Sequence, residues 1–125
     1  MKDTVQLEFT VTERNVPLIL VVDDDSVMRL MLSNMLKTEG YDVIEASNGI
    51  AGAELFKECR PDLVLLDVLM PLMNGFDACS LMRESDPQNI TPIIVLIGND
   101  DVASIDEAFS RGATDFVTKP INWDL

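Results

Sequence analysis

Residues Leu18–Val22, LILVV, form an unbroken apolar run that stops at three consecutive aspartates, Asp23, Asp24 and Asp25. A run this short and this uniformly apolar is the mark of a strand buried on both faces, which needs helices above and below a sheet. Neighbouring carboxylates repel one another and resist burial, so a triplet at the end of such a strand is not there for stability.

The pattern then recurs along the chain. Val27, Leu30, Met31 and Met35 return at helical spacing, up to a stop at Glu39-Gly40. Asp42–Ala46 alternates in the manner of an edge strand, and Ser47-Asn48-Gly49 turns the chain into a helix with Ala53, Phe56 and Cys59 on one face. Leu63–Leu66 is a second buried strand, ending at Asp67; after the turn from Pro71 to Gly75, Phe76, Cys79 and Met82 mark a third helix. Pro92–Ile97 reads as the fourth strand, Val102, Ile105 and Phe109 as a helix closed by Gly112, and Thr114–Thr118 as the fifth strand. Strand alternating with helix predicts an α/β fold, a doubly wound five-stranded parallel sheet with helices on both faces. The sequence ends at Leu125, so the last helix is expected to be truncated and the chain to be a piece of something longer. Residues 17–125 are read as one domain. Residues 1–16 carry Val5, Leu7, Phe9 and Val11 in alternation, which suits a mobile arm or an extra strand pairing with an edge or a second copy.

Composition removes several function classes. With 22 acids against 9 bases the net charge is −13, which argues against direct binding to nucleic acid or to an anionic membrane. There is no histidine, so Ser/His/Asp triads, Cys/His pairs and most zinc sites are out. Cys59 and Cys79 fit no metal-ligand spacing and read as reduced thiols, hence a cytoplasmic expectation. No apolar run is long enough to span a membrane.

In a parallel sheet the functional rim lies at the carboxyl ends of the strands. Here those ends carry Asp23 and Asp24, Asp67, and Lys119. Taken singly, each aspartate could be a helix cap or a turn residue. As a set they leave excess negative charge in a small space, which suits a hard divalent cation with oxygen ligands. Asp25, at the start of the first helix, reads as a cap for the Met28 or Arg29 amide.

The segments ILVVDDDSVMR, DLVLLDVLMPLMNGFD and DFVTKPI, in that order, resemble the receiver domain of two-component response regulators, from Leu18 to about Ile121. The resemblance implies a flavodoxin-like strand order of 2-1-3-4-5. It implies Asp67 as the phosphoacceptor and Asp23 and Asp24 as a Mg2+ pair (with Mn2+ able to substitute). It also implies the Leu69 backbone carbonyl as a further ligand and Lys119 as the contact to the phosphoryl group. The donor would be a sensor histidine kinase or phosphotransfer protein, and a cis Lys119-Pro120 bond is expected. The chain would be a signalling phosphoacceptor rather than an enzyme. The tail TKPINWDL resembles the exit of receivers joined to cyclic-di-GMP synthesising or degrading output domains, and a homodimer fits the same family.

One position departs from the pattern. Where a receiver carries Ser or Thr at the end of the fourth strand, this chain has Ile97, which has no hydroxyl to donate. Phe116 matches the aromatic switch position. Phosphorylation with weakened switching is one expectation, a permanently favoured switch state a second, and substitution by Gly98 or Asn99 a third. Two other classes compete with a working receiver. One is a pseudo-receiver serving only as an interaction module. The other is a haloacid-dehalogenase-type Mg2+ phosphatase with Asp23 as nucleophile, Asp25 as acid/base and Asn99-Asp100-Asp101 as later ligands; it leaves Asp67-Val68-Leu69-Met70-Pro71 unexplained.

Overall fold

The computed structural model describes residues 15–70, 72–98, 101 and 103–121. The N-terminal arm, apart from Asn15 and Val16, and the tail beyond Ile121 lie outside the described residues.

Chain order is β1 (Leu18–Val22), α1 (Ser26–Thr38), β2 (Asp42–Ala46), α2 (Gly49–Cys59), β3 (Leu63–Asp67), α3 (Gly75–Glu84), β4 (Ile93–Ile97), α4 (Ser104–Ser110) and β5 (Asp115–Thr118). All strand pairs are parallel and the order is β2-β1-β3-β4-β5. This is the flavodoxin-like, doubly wound arrangement. The predicted elements all form, and Asp42–Ala46 is indeed an edge strand.

The apolar strands separate two cores. On one face Leu20, Val22, Val64, Leu66, Val95 and Ile97 pack with Ala53, Phe56, Cys79 and Met82 of α2 and α3. On the other, Ile19, Val21 and Leu96 pack with Leu32 and Leu36 of α1. That face is only partly covered: an apolar groove of about 440 Å³ runs beside α1 along Ile19, Leu63, Leu65, Ile94 and Ile121. Among the described residues no helix follows β5.

The helices start where short polar side chains cap them. Asn48 accepts from the Ala51 amide and Asn74 from the Asp77 amide. On α1 the structure corrects the sequence reading. Asp25 caps Met28, as expected, and its second partner is Val27 rather than Arg29. The apolar face is also rotated from the expected one: Val27, Leu30 and Met31 are exposed, while Leu32, Ser33 and Leu36 are buried. The helix carries two overlapping apolar stripes, and its placement at the end of β1 turns the Leu32–Leu36 stripe onto the sheet.

At the pole remote from the carboxyl ends of the strands, Arg83 ties together the α3–β4 and α4–β5 loops. It donates to the carbonyls of Gly112 and Thr91, to the Asp86 carboxylate and to the Thr114 hydroxyl. At the opposite pole, Gly75 allows α3 to start directly against the end of β3. A Cβ there would press on the Asp67 carbonyl oxygen and lie 2.5 Å from Val68 Cα, both backbone atoms that cannot give way independently. Gly75→Ala is expected to destabilise the fold by about 1–3 kcal/mol, read as a lower urea midpoint; an unchanged midpoint contradicts this packing.

Candidate functional site

The strand register builds the site. Val22 pairs with Leu66, Asp67 with Leu96, and Ile97 with Thr118. Asp23 therefore follows β1 beside Asp67, and Lys119 follows β5 at the same rim. Ligand oxygens of Asp23, Asp24 and Asp67 lie within 4.8 Å of one another. Lys119 Nζ sits 2.8 Å from Asp67 Oδ1, and its backbone amide donates to the Ile97 carbonyl at 2.8 Å. The Lys119-Pro120 bond is cis.

The three carboxylates differ in setting. Asp24 is exposed, Asp67 is 3% exposed and Asp23 is 0% exposed. Asp23 is held at almost every polar atom. Its amide donates to Ala46, its Oδ1 accepts from the Asp25 amide at 2.9 Å, and its carbonyl accepts from Arg29 Nη1 at 2.7 Å. Only Oδ2 has no hydrogen bond. An unpaired buried carboxylate oxygen is costly. Burial accordingly pushes the Asp23 carboxyl from 3.8 up to about 6; the Asp25 amide opposes this, and the Asp67 charge adds to it.

Such a group of oxygen donors, with more carboxylates than the one ammonium neutralises and one buried oxygen unsatisfied, fits a hard divalent cation. Leu69 lies just beyond Asp67, its amide 3.4 Å from Asp67 Oδ1 and its side chain exposed. Asp25 is not part of this cluster, and its Oδ1 accepts the capping bonds of Val27 and Met28. Of the later acids invoked for a phosphatase, Asp101 is half-buried, while Asn99 and Asp100 lie outside the described residues.

Ile97 is fully buried and packs with the α2–α3 core. Phe116 is half-buried, and its ring meets Phe109 edge-on at 6.2 Å and 87°. Sequence reading missed two residues at this rim, Arg29 and Glu45. Their ion pair, 3.1 Å long, joins α1 to β2, and nothing in their spacing announces it.

The fold and this acidic rim define a doubly wound α/β protein with a candidate cation site at the carboxyl ends of its strands. A model of the response regulator receiver domain matches residues 19–125, and the chain belongs to that family. It is 42% identical over 103 residues to the chemotaxis protein CheY of Thermotoga maritima, covering 82% of this chain and 84% of that protein. It is 38% identical over 102 residues to the DNA-binding response regulator MtrA of Mycobacterium tuberculosis, covering 82% of this chain but only 43% of that protein. Among solved structures, chemotaxis protein CheY4 of Vibrio cholerae superposes with a TM-score of 0.80 at 32% identity, covering 86% of this chain and 89% of that one. No helix among the described residues is long and apolar enough to cross a membrane.

The raised Asp23 value carries a sign for stability. Between 3.8 and about 6 the folded state binds more protons than the unfolded state. Stability from this group is therefore greatest below the lower value and falls as pH rises through the upper one. In buffer with EDTA, thermal melts are expected to show this decline, and Asp23→Asn to flatten it; an undiminished slope in the variant contradicts the assignment to Asp23.

Proposed function

We propose that Asp67 accepts a phosphoryl group from a phosphohistidine of a sensor kinase or phosphotransfer protein, with Mg2+ held by Asp23, Asp24, Asp67 and the Leu69 carbonyl. The observation that carries this reading is the Lys119 ammonium on Asp67 at 2.8 Å, beside three converging carboxylates. An Asp67 oxygen attacks phosphorus and forms the acyl phosphate bond while the phosphorus–nitrogen bond of the donor breaks. The electron pair leaves with the imidazole nitrogen, which takes a proton. Bound Mg2+ supplies charge neutralisation for the equatorial phosphoryl oxygens and for the acidic rim. Lys119 follows a phosphoryl oxygen with its ammonium and is released from its ground-state pairing with Asp67 Oδ1. Asp23, shielded from water, orients the ligand set.

The protein acts in this reading as a phosphoacceptor in the cytoplasm, not as an enzyme on an external substrate. MtrA and RpaA are named as DNA-binding regulators, and the chain matches less than half of their length. If this chain serves an output, those relatives favour a DNA-binding one. The cyclic-di-GMP output suggested by TKPINWDL draws no support from them.

Ile97 weakens the relay rather than the transfer. It cannot offer the phosphoryl oxygen a hydroxyl, a contact worth on the order of 1 kcal/mol. The intact acidic rim and Lys119 favour a working acceptor over a pseudo-receiver.

Incubation with Mg2+ and acetyl phosphate, followed by mapping of the modified residue, is expected to place the label on Asp67, and Asp67→Asn to abolish it. A label on Asp23 sinks the proposal in favour of the phosphatase reading. In the same assay Ile97→Thr is expected to label to a similar extent. Amide shifts at Gly98 and Phe116 on phosphorylation should then be larger in the variant; equal shifts contradict weakened coupling.

A further inference from the structure

Arg29 takes no part in the chemistry above, yet it braces the turn that presents the acidic pair. It lies in the first turn of α1. Its Nη1 donates to the Asp23 carbonyl at 2.7 Å, and its Nε donates to Glu45 Oε1 at 3.1 Å on the edge strand β2. The Arg29 side chain is 20% exposed and that of Glu45 36%, so the bond to the Asp23 carbonyl is the more shielded arm of this fork. Together with the Asp23 amide on Ala46 and the Asp25 amide on Asp23 Oδ1, it fixes the residue on three sides. What remains is Oδ2, buried and without a hydrogen bond.

We propose that Arg29 is a positioning residue for cation binding, its fork clamping the Asp23 carbonyl against β2 and so setting the direction of the Asp23 and Asp24 carboxylates. This rests on the reading that the rim binds Mg2+. The planar guanidinium makes both bonds at once in a fixed geometry; a lysine ammonium at the same place keeps the charge but loses the fork. Groups that orient metal ligands commonly change metal affinity by ~10–100-fold when removed. A purely electrostatic role has the opposite sign. Arg29 brings positive charge near the rim, so losing that charge would strengthen cation binding if charge were all that mattered. Glu45 partly offsets that charge, which leaves geometry as the larger contribution.

The test is calorimetric titration of the 125-residue chain with MgCl2, for wild type, Arg29→Gln, Arg29→Lys and Asp24→Asn, with melts in EDTA alongside. Both Arg29 variants are expected to bind Mg2+ about tenfold more weakly, and Asp24→Asn to lose measurable binding. Tighter binding by Arg29→Gln, with Arg29→Lys unchanged, overturns the proposal in favour of a charge effect. Lower melting temperatures with unchanged affinity overturn it in favour of a structural brace alone. Wild-type affinity in Asp24→Asn overturns the Mg2+ reading itself, and the role of Arg29 with it. Should Arg29→Gln not fold, Arg29→Lys, which keeps the aliphatic stem and the charge, carries the same decision.

Discussion

The burial of one carboxylate organises this molecule. Asp23 stands at the end of a strand with no exposed surface, its Oδ2 unpaired, close to Asp24 and Asp67. A chain accepts such a group only where the surrounding structure over-determines its position. Here that structure is β1, apolar on both faces and pinned between β2 and β3, with α1 starting immediately beyond. The strain is electrostatic rather than steric, and it shows in the raised Asp23 carboxyl. A divalent cation at the rim, as proposed, would offset that cost, so that cation affinity and the fold's stability would draw on the same residues.

Much of this was legible in the sequence because parallel sheets have a simple grammar. Continuous apolar runs mark strands buried on both faces, and whatever follows them arrives at one rim. Leu18–Val22 and Leu63–Leu66 therefore bring Asp23, Asp24 and Asp67 to one edge, and Thr114–Thr118, a half-exposed edge strand placed by the alternation of strand and helix, brings Lys119 there. Less legible was anything that depends on the rotation of an element. The sequence of α1 carries two apolar stripes, and the one containing Val27, Leu30 and Met31 proved to be the exposed one. Asp25 was correctly separated from its neighbours as a cap, with Met28 among its expected partners; the other partner is Val27 rather than Arg29. Arg29 and Glu45 lie sixteen residues apart on different elements, and only the sheet register brings them together. No local pattern encodes such a pair.

Ile97 separates the two halves of a receiver's work. In the proposed function, acceptance of a phosphoryl group depends on carboxylates and an ammonium at the rim, and those lie together there. Relay of the event depends on a side chain at the end of β4 that can bond to the new group, and isoleucine is instead absorbed into the core beneath α2 and α3. Phe116, held edge-on against Phe109, keeps the aromatic part of the device without its hydroxyl partner. On the proposed reading the protein combines an intact chemical rim with an altered mechanical link.

The most direct measurement is an NMR titration of the metal-free chain with MgCl2, following backbone amides. Saturable shifts concentrated at Asp23–Asp25, at Asp67–Leu69 and at Lys119 are expected, with little change at the Arg83 pole. Shifts that fail to saturate, or that spread over the many exposed acids with none at Asp23 and Asp67, would contradict the claim that this buried carboxylate exists to hold a cation.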